Sequence, residues 1–241
     1  MASAFRWKEP GHVSVPPLDS GAASAILTNW LVNKPGRPRG AARDSQAAIF
    51  SAAAREFAAR GYDAAGVDRI AVKARVNKAM IYYHYGSKNG LYLEVLRDMF
   101  RAVGVRARAI ADGPGTAESK LDAWIAAIAE EAAARPWFPP IMLREIAAGG
   151  THFDPDTLRM MNAVYAAVRD VIVQGQQDGT FRDADPLLTH FTIMPAVLIF
   201  FARQRIVARR RNLPVVGAPR QVGEFVAHMQ ASVRGMLRKD S

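Results

Sequence analysis

In ARVNKAMIYYHYGSK, residues 74–88, three phenols (Tyr82, Tyr83, Tyr85) and an imidazole (His84) crowd among Arg75, Lys78 and Lys88, with no carboxylate. Three kinds of chemistry use such a set: a catalytic site, a stacking platform for bases, or a surface that meets phosphates. Histidines elsewhere offer a hydrolase reading, with His152, His190 or His228 set against Asp154, Asp156 or Asp185. Those residues fall in loops or on different helices. No nucleophile elbow, phosphate loop or HExxH spacing accompanies them.

Charge favours the phosphate surface. Residues 34–110 carry 15 basic and 6 acidic side chains, whereas residues 111–241 carry 15 and 14. Nearly all of the +10 net charge therefore sits in the segment holding the cluster, as in a module for DNA or RNA. A merely solubilising surface is the alternative. The absence of cysteine excludes disulfides, thiol catalysis and cysteine-based zinc sites, and it fits a reducing compartment. The most apolar run, FTIMPAVLIFFA at 191–202, is shorter than the ~20 residues a membrane span needs and reads as a buried helix. With no signal-peptide pattern, the expectation is a soluble, cytoplasmic protein with no membrane partner.

Elements that position the cluster can be read from periodicity. Ile49, Phe50, Ala53, Ala54 and Phe57 recur every three or four residues, and Gly61 closes that helix. A short helix follows from Val67 to Ala74 with Val67, Ile70 and Ala71 facing inward. After a turn at Arg75-Val76, Asn77 caps a third helix that Gly86 breaks, and Ser87 caps a fourth. Segments near 116–134, 137–147, 155–178, 186–211 and 219–238 are helical too, divided by glycine and proline breaks. The predicted fold is all-α with about nine helices. Its parts are a flexible basic arm (1–42), a helix-turn-helix domain (43–88) and an effector-binding and dimerisation domain (89–241). Within the arm, Arg37-Pro38-Arg39 suits a narrow A·T-rich minor groove, unless it is a soluble tail with incidental arginines.

Two short helices joined by a tight turn form a helix-turn-helix, whose second helix fits a major groove. The stretch RDSQAAIFSAAAREFAARGYDAAGVDRIAVKARVNKAMIYYHYGSKNGLYLEVL resembles the DNA-binding region of TetR-type transcriptional regulators. Phe57, Gly61, Tyr62, Ile70, Ala71, Tyr82, Tyr83, His84, Tyr85, Ser87 and Lys88 carry the likeness over about 55 of 241 residues. The resemblance implies that Lys78 and Ala79 read base edges and that Tyr82, His84 and Lys88 hold the phosphate backbone. Tyr83 braces that surface or reaches a phosphate; Tyr85 and Ile81 pack inside. Three departures from the family pattern stand out. Arg75 stands where glycine is usual, so it takes a left-handed conformation at ~1 kcal/mol or bends the turn differently, with a phosphate contact as compensation. Ala65 and Gly66 replace hydroxyl residues, and Met80 replaces a threonine.

The resemblance also implies a double-stranded DNA operator, a homodimer through the helices at 186–211 and 219–238, and a small-molecule ligand, with no cofactor or metal. Trp124, Trp137, Phe138, Met142, Met161 and Tyr165 are candidates to line an apolar cavity, with Arg144 or His152 orienting a polar group. Aromatic and methionine residues at this spacing equally fill a core. The leading expectation is a sequence-specific, ligand-responsive repressor rather than an enzyme. The alternative is a nonspecific nucleoid-type DNA binder, with steep salt dependence and little sequence preference.

Overall fold

The computed structural model describes residues 39–207 and 219–239, with side chains described within 44–203 and 220–239. Arg37 lies outside the described residues, and so does the side chain of Arg39. Nine helices are present among the described residues: α1 Arg39–Ala64, α2 Val67–Ala74, α3 Lys78–Tyr85, α4 Lys88–Asp112, α5 Ala117–Ala134, α6 Phe138–Ala147, α7 Pro155–Gln177, α8 Pro186–Val207 and α9 Pro219–Leu237.

Local chemistry sets most boundaries. Gly61 (φ 76, ψ 178) interrupts α1 where the glycine stop is expected, and the chain resumes helical turns as far as Ala64. Asp154 and Asp185 each precede a proline, and both open a helix. Asp154 accepts from Thr157 N at 2.9 Å, and Asp185 from Leu187 N at 2.7 Å. Thr116 caps α5 through Ser119 N.

One continuous apolar core joins the helices. Ile49, Ala53 and Phe57 of α1 are fully buried, and so are Ile70, Ile81, Leu91, Val95 and Leu96. α4 runs from this N-terminal cluster into the C-terminal half and packs chiefly on α7, while α9 packs chiefly on α5. Phe181 closes the base of the bundle: its ring sits against Gly175, and it bridges to Arg238.

The expectation that the apolar run near 191–202 forms a buried helix needs correction. The stretch Pro186–Arg203 is long and apolar enough to cross a membrane by length and composition, and only 28% of it is buried. Ile193, Val197, Leu198 and Phe201 face the core, but Leu187, Leu188, Phe191 and Ile199 are exposed. The apolar surface of α8 is wider than the chain's own core covers. Leu198 and Phe201 of α8 and Met229 and Val233 of α9 are buried within the chain's own core.

Candidate nucleic-acid interface

α2 and α3 form the predicted pair. Ile81 is the anchor of α3 and is fully buried together with Ile70, while Ala71 and Ala74 present small side chains at the contact. The turn between the helices closes α2 with two backbone bonds, Val76 N to Ala71 O and Arg75 N to Val72 O, both 3.1 Å. This cap needs a left-handed residue, and Arg75 supplies it at φ 55, ψ 41, the one non-glycine residue with positive φ among those described. The anticipated strain is therefore real. The Arg75 side chain is exposed and makes no hydrogen bond or ion pair to another described residue. Arg75→Gly is expected to raise stability by about 1 kcal/mol and Tm by about 2–4 °C. The same change should weaken operator binding by removing a cation. Thermal melting and a mobility-shift titration read these opposite signs; a lower Tm would contradict the strain.

The outward face of the pair gathers most of the predicted residues. Lys78, Ala79 and Asn77 are exposed at the start of α3, as are Tyr82 (45%) and Tyr83 (80%). The Asn77 side chain is occupied as the cap, accepting from Ala79 N at 2.9 Å. Tyr85 is half-buried and donates to the Gln46 carbonyl at 3.2 Å, as an inward-packing residue should. His84 is half-buried, with Nε2 3.5 Å from Ser45 Oγ. Ala65 is buried, and Gly66 at the start of α2 offers no side-chain cap, so neither replaces the missing hydroxyls.

Two features were not visible in the sequence. The cluster lacks acids of its own, yet the fold brings Asp68 of α2 to Lys78, with Oδ1 2.8 Å from Nζ. This contact raises the Lys78 pKa; both groups are exposed, so solvent screens the pair and Lys78 is easily released. Lys88 is also engaged. Its ammonium donates to the Asp63 carbonyl at 3.1 Å and lies 4.5 Å from the Tyr62 ring centre, tying the start of α4 to the end of α1.

Beneath the interface, Glu56 of α1 is a fully buried carboxylate that accepts from Arg69 (2.7 Å) and Lys73 (2.5 Å) of α2 and pairs with Arg60 (3.1 Å). Burial raises its pKa, but the hydrogen bonds from Lys73 and Arg69 outweigh that, and the carboxyl is held below its ordinary value. α2 is thereby fixed on α1.

The ligand candidates separate into three places. Trp124 and Tyr165 both stand near His190, with ring centres 5.9 and 5.4 Å from it. Trp137, Phe138 and Met142 lie at the start of α6, where Trp137 meets Phe50 of α1 edge-on and Phe138 meets Phe100 of α4. Met161 is half-buried on α7. Arg144 and His152 belong to the join between the two halves. Arg144 donates to the Ala58 carbonyl of α1 at 2.8 Å. His152 Nδ1 is 3.0 Å from Glu145 Oε1, which also accepts the Tyr92 hydroxyl of α4. Glu145 is buried, and desolvation, with this bond second, pushes the Tyr92 pKa upward. Sequence spacing gives no sign of this link, since Arg144 and Ala58 are 86 residues apart.

A buried brace helix, a tight turn and a second helix with an exposed polar start define a helix-turn-helix DNA-binding protein. Comparisons with known proteins agree. Residues 49–95 match the model of the bacterial regulatory proteins of the tetR family. The chain is 30% identical over 155 residues to the HTH-type transcriptional repressor NicS of Pseudomonas putida, covering 64% of this chain and 73% of NicS. It is 34% identical over 152 residues to the HTH-type transcriptional repressor SCO4008 of Streptomyces coelicolor, covering 61% and 73%. Its fold is similar to that of the ketosteroid transcriptional regulator KstR2 of Mycobacterium tuberculosis, with a TM-score of 0.65 at 23% identity over 82% of this chain and 96% of that one. The chain belongs to the TetR family of transcriptional regulators, which bind DNA through this module and are not enzymes.

Proposed function

We propose that this chain is a ligand-responsive repressor that acts in the cytoplasm as a homodimer on a pseudo-palindromic operator. The observation that carries the reading is the exposed start of α3, where Lys78, Ala79, Tyr82 and Tyr83 project from a helix anchored by Ile81. Lys78 leaves Asp68 to donate to guanine O6 or N7, and Ala79 meets a thymine methyl. Arg75, Tyr82, Tyr83 and His84 face the phosphate backbone. Lys88 holds the start of α4 in place and contributes its charge nearby.

Repression is supported by NicS and SCO4008, both named as repressors. Dimerisation is supported by the exposed stripe of Leu187, Leu188, Phe191 and Ile199 on α8, an apolar face that a second copy would cover. A two-fold pair presents two recognition helices and hence calls for two half-sites. The test is a mobility-shift titration on a fragment of the protein's own promoter. Lys78→Ala combined with Tyr82→Phe is expected to weaken specific binding by about 10–100-fold, the loss of one or two good contacts. Unchanged specific binding would sink the assignment. A steep salt dependence with equal affinity for unrelated DNA would instead favour the nonspecific binder.

A further inference from the structure

Two buried hydrogen-bonding atoms of the C-terminal half have no partner among the described residues, and they lie on neighbouring rings: Trp124 Nε1 and His190 Nδ1. Trp124 on α5 is fully buried. His190 on α8 is half-buried, with Tyr165 of α7 edge-on to it. Native interiors rarely leave such atoms unpaired. The unpaired Glu145 Oε2 and Asp122 Oδ1 are different, because each is the second oxygen of a carboxylate already engaged through its first. The Trp124 indole has no second polar atom, so its N–H is left without any partner among the described residues. We infer that Trp124 and His190 are the polar anchor of a small-molecule site where α5, α7 and α8 meet, taking a neutral, mainly apolar molecule with one hydroxyl or carbonyl oxygen. The inference rests on the ligand-responsive reading above and names the chemistry of its effector.

The two rings define what fits. The Trp124 indole only donates, so the ligand must offer an acceptor. Burial pushes the His190 pKa down to about 4, so the imidazole is neutral at pH 7. With its proton on Nδ1 it is a second donor to a carbonyl oxygen. With Nδ1 bare it accepts the proton of a hydroxyl whose oxygen takes the Trp124 N–H. Either way an oxygen lying between the two rings, whose centres are 5.9 Å apart, would answer both. Among the described residues a carboxylate finds no free cation here: Lys120, one turn before Trp124, donates to the Ala111 carbonyl and to Gln174 Oε1, both at 3.0 Å. An ammonium cannot accept from the indole. One turn away, Leu121, Ile128 and Ile193 are buried and apolar, which favours an uncharged body.

The test uses the full chain labelled at indole nitrogen, with the Trp124 signal assigned through Trp124→Phe. Four probes each carry ten carbons: 1-decanol, 2-decanone, decanoate and decylammonium. The two neutral probes are expected to shift the Trp124 signal saturably, and the charged pair to bind at least about tenfold more weakly. His190→Leu should weaken decanol by about tenfold, while His190→Gln, which keeps a donor and an acceptor, recovers part of it. Melting curves confirm that each variant is folded. A Trp124 signal unmoved by any probe would overturn the site, as would charged probes that bind equally well. So would a folded His190→Leu that binds like the wild type. No DNA is present, so the result is independent of the operator. Decanol that binds here without releasing operator DNA would remove the effector role and leave the site standing.

Discussion

Gly90→Ala is expected to destabilise the protein by about 3 kcal/mol, lowering Tm by roughly 6–12 °C, and to abolish operator binding. A Cβ at this position would lie 2.2 Å from the carbonyl oxygen of Tyr85. That oxygen is backbone at the end of the recognition helix, so no side-chain rotation relieves the contact. Gly90 is also the residue whose N–H caps onto Ser87 Oγ at 2.9 Å, which holds the first turn of α4 against the turn after α3. An added methyl must therefore push α3 and α4 apart and tilt the groups at the DNA face. Thermal melting checks the first effect, and a mobility shift on the folded fraction checks the second. A wild-type Tm would show that the approach is looser than the geometry requires.

Glu56→Ala is expected to cost about 2–3 kcal/mol. Removing one partner of a buried ion pair is usually severe, because the other charge is stranded. Here Arg69 and Lys73 are each about half exposed and can rehydrate, which places the loss at the lower end. The pH response separates charge from packing. The carboxyl titrates below its ordinary 4.5, so the unfolded chain binds the proton first and stability rises with pH. This contribution is complete above about pH 4.5 and is lost as pH falls through the lower folded value. Glu56→Gln, nearly isosteric, should lose that component of the acid slope. Denaturant melts at pH 7 and across the acid range read it out; identical slopes in both proteins would exclude Glu56 as a source.

The DNA-binding module was legible because its signals are local. Asn77, Gly86 and Ser87 set the ends of α3 and the start of α4 from within a few residues, and α2 spans Val67–Ala74 as its apolar spacing implied. Arg75 could be singled out because its position in the turn fixes its conformation whatever else surrounds it. Asp68 could not. Its pairing with Lys78 depends on how two helices cross, and periodicity does not report that. Arg144 and His152 were candidates to orient a polar group of a ligand. In the structure Arg144 reaches the Ala58 carbonyl of α1 and His152 reaches Glu145 of α6, contacts that their spacing does not announce. The exposed side of α8 was hidden too: an apolar helix looks the same in sequence whether its partner is its own core or another surface.

α4 has a consequence for motion. Its 25 unbroken residues make a rod about 37 Å long, with one end against the recognition helix and the other beneath α7. A lean of about 5° at the far end swings the near end by about 3 Å. That is close to the ~3.4 Å step between successive nucleotides of a strand, so a small tilt in the core is geared up to the scale on which DNA register is counted.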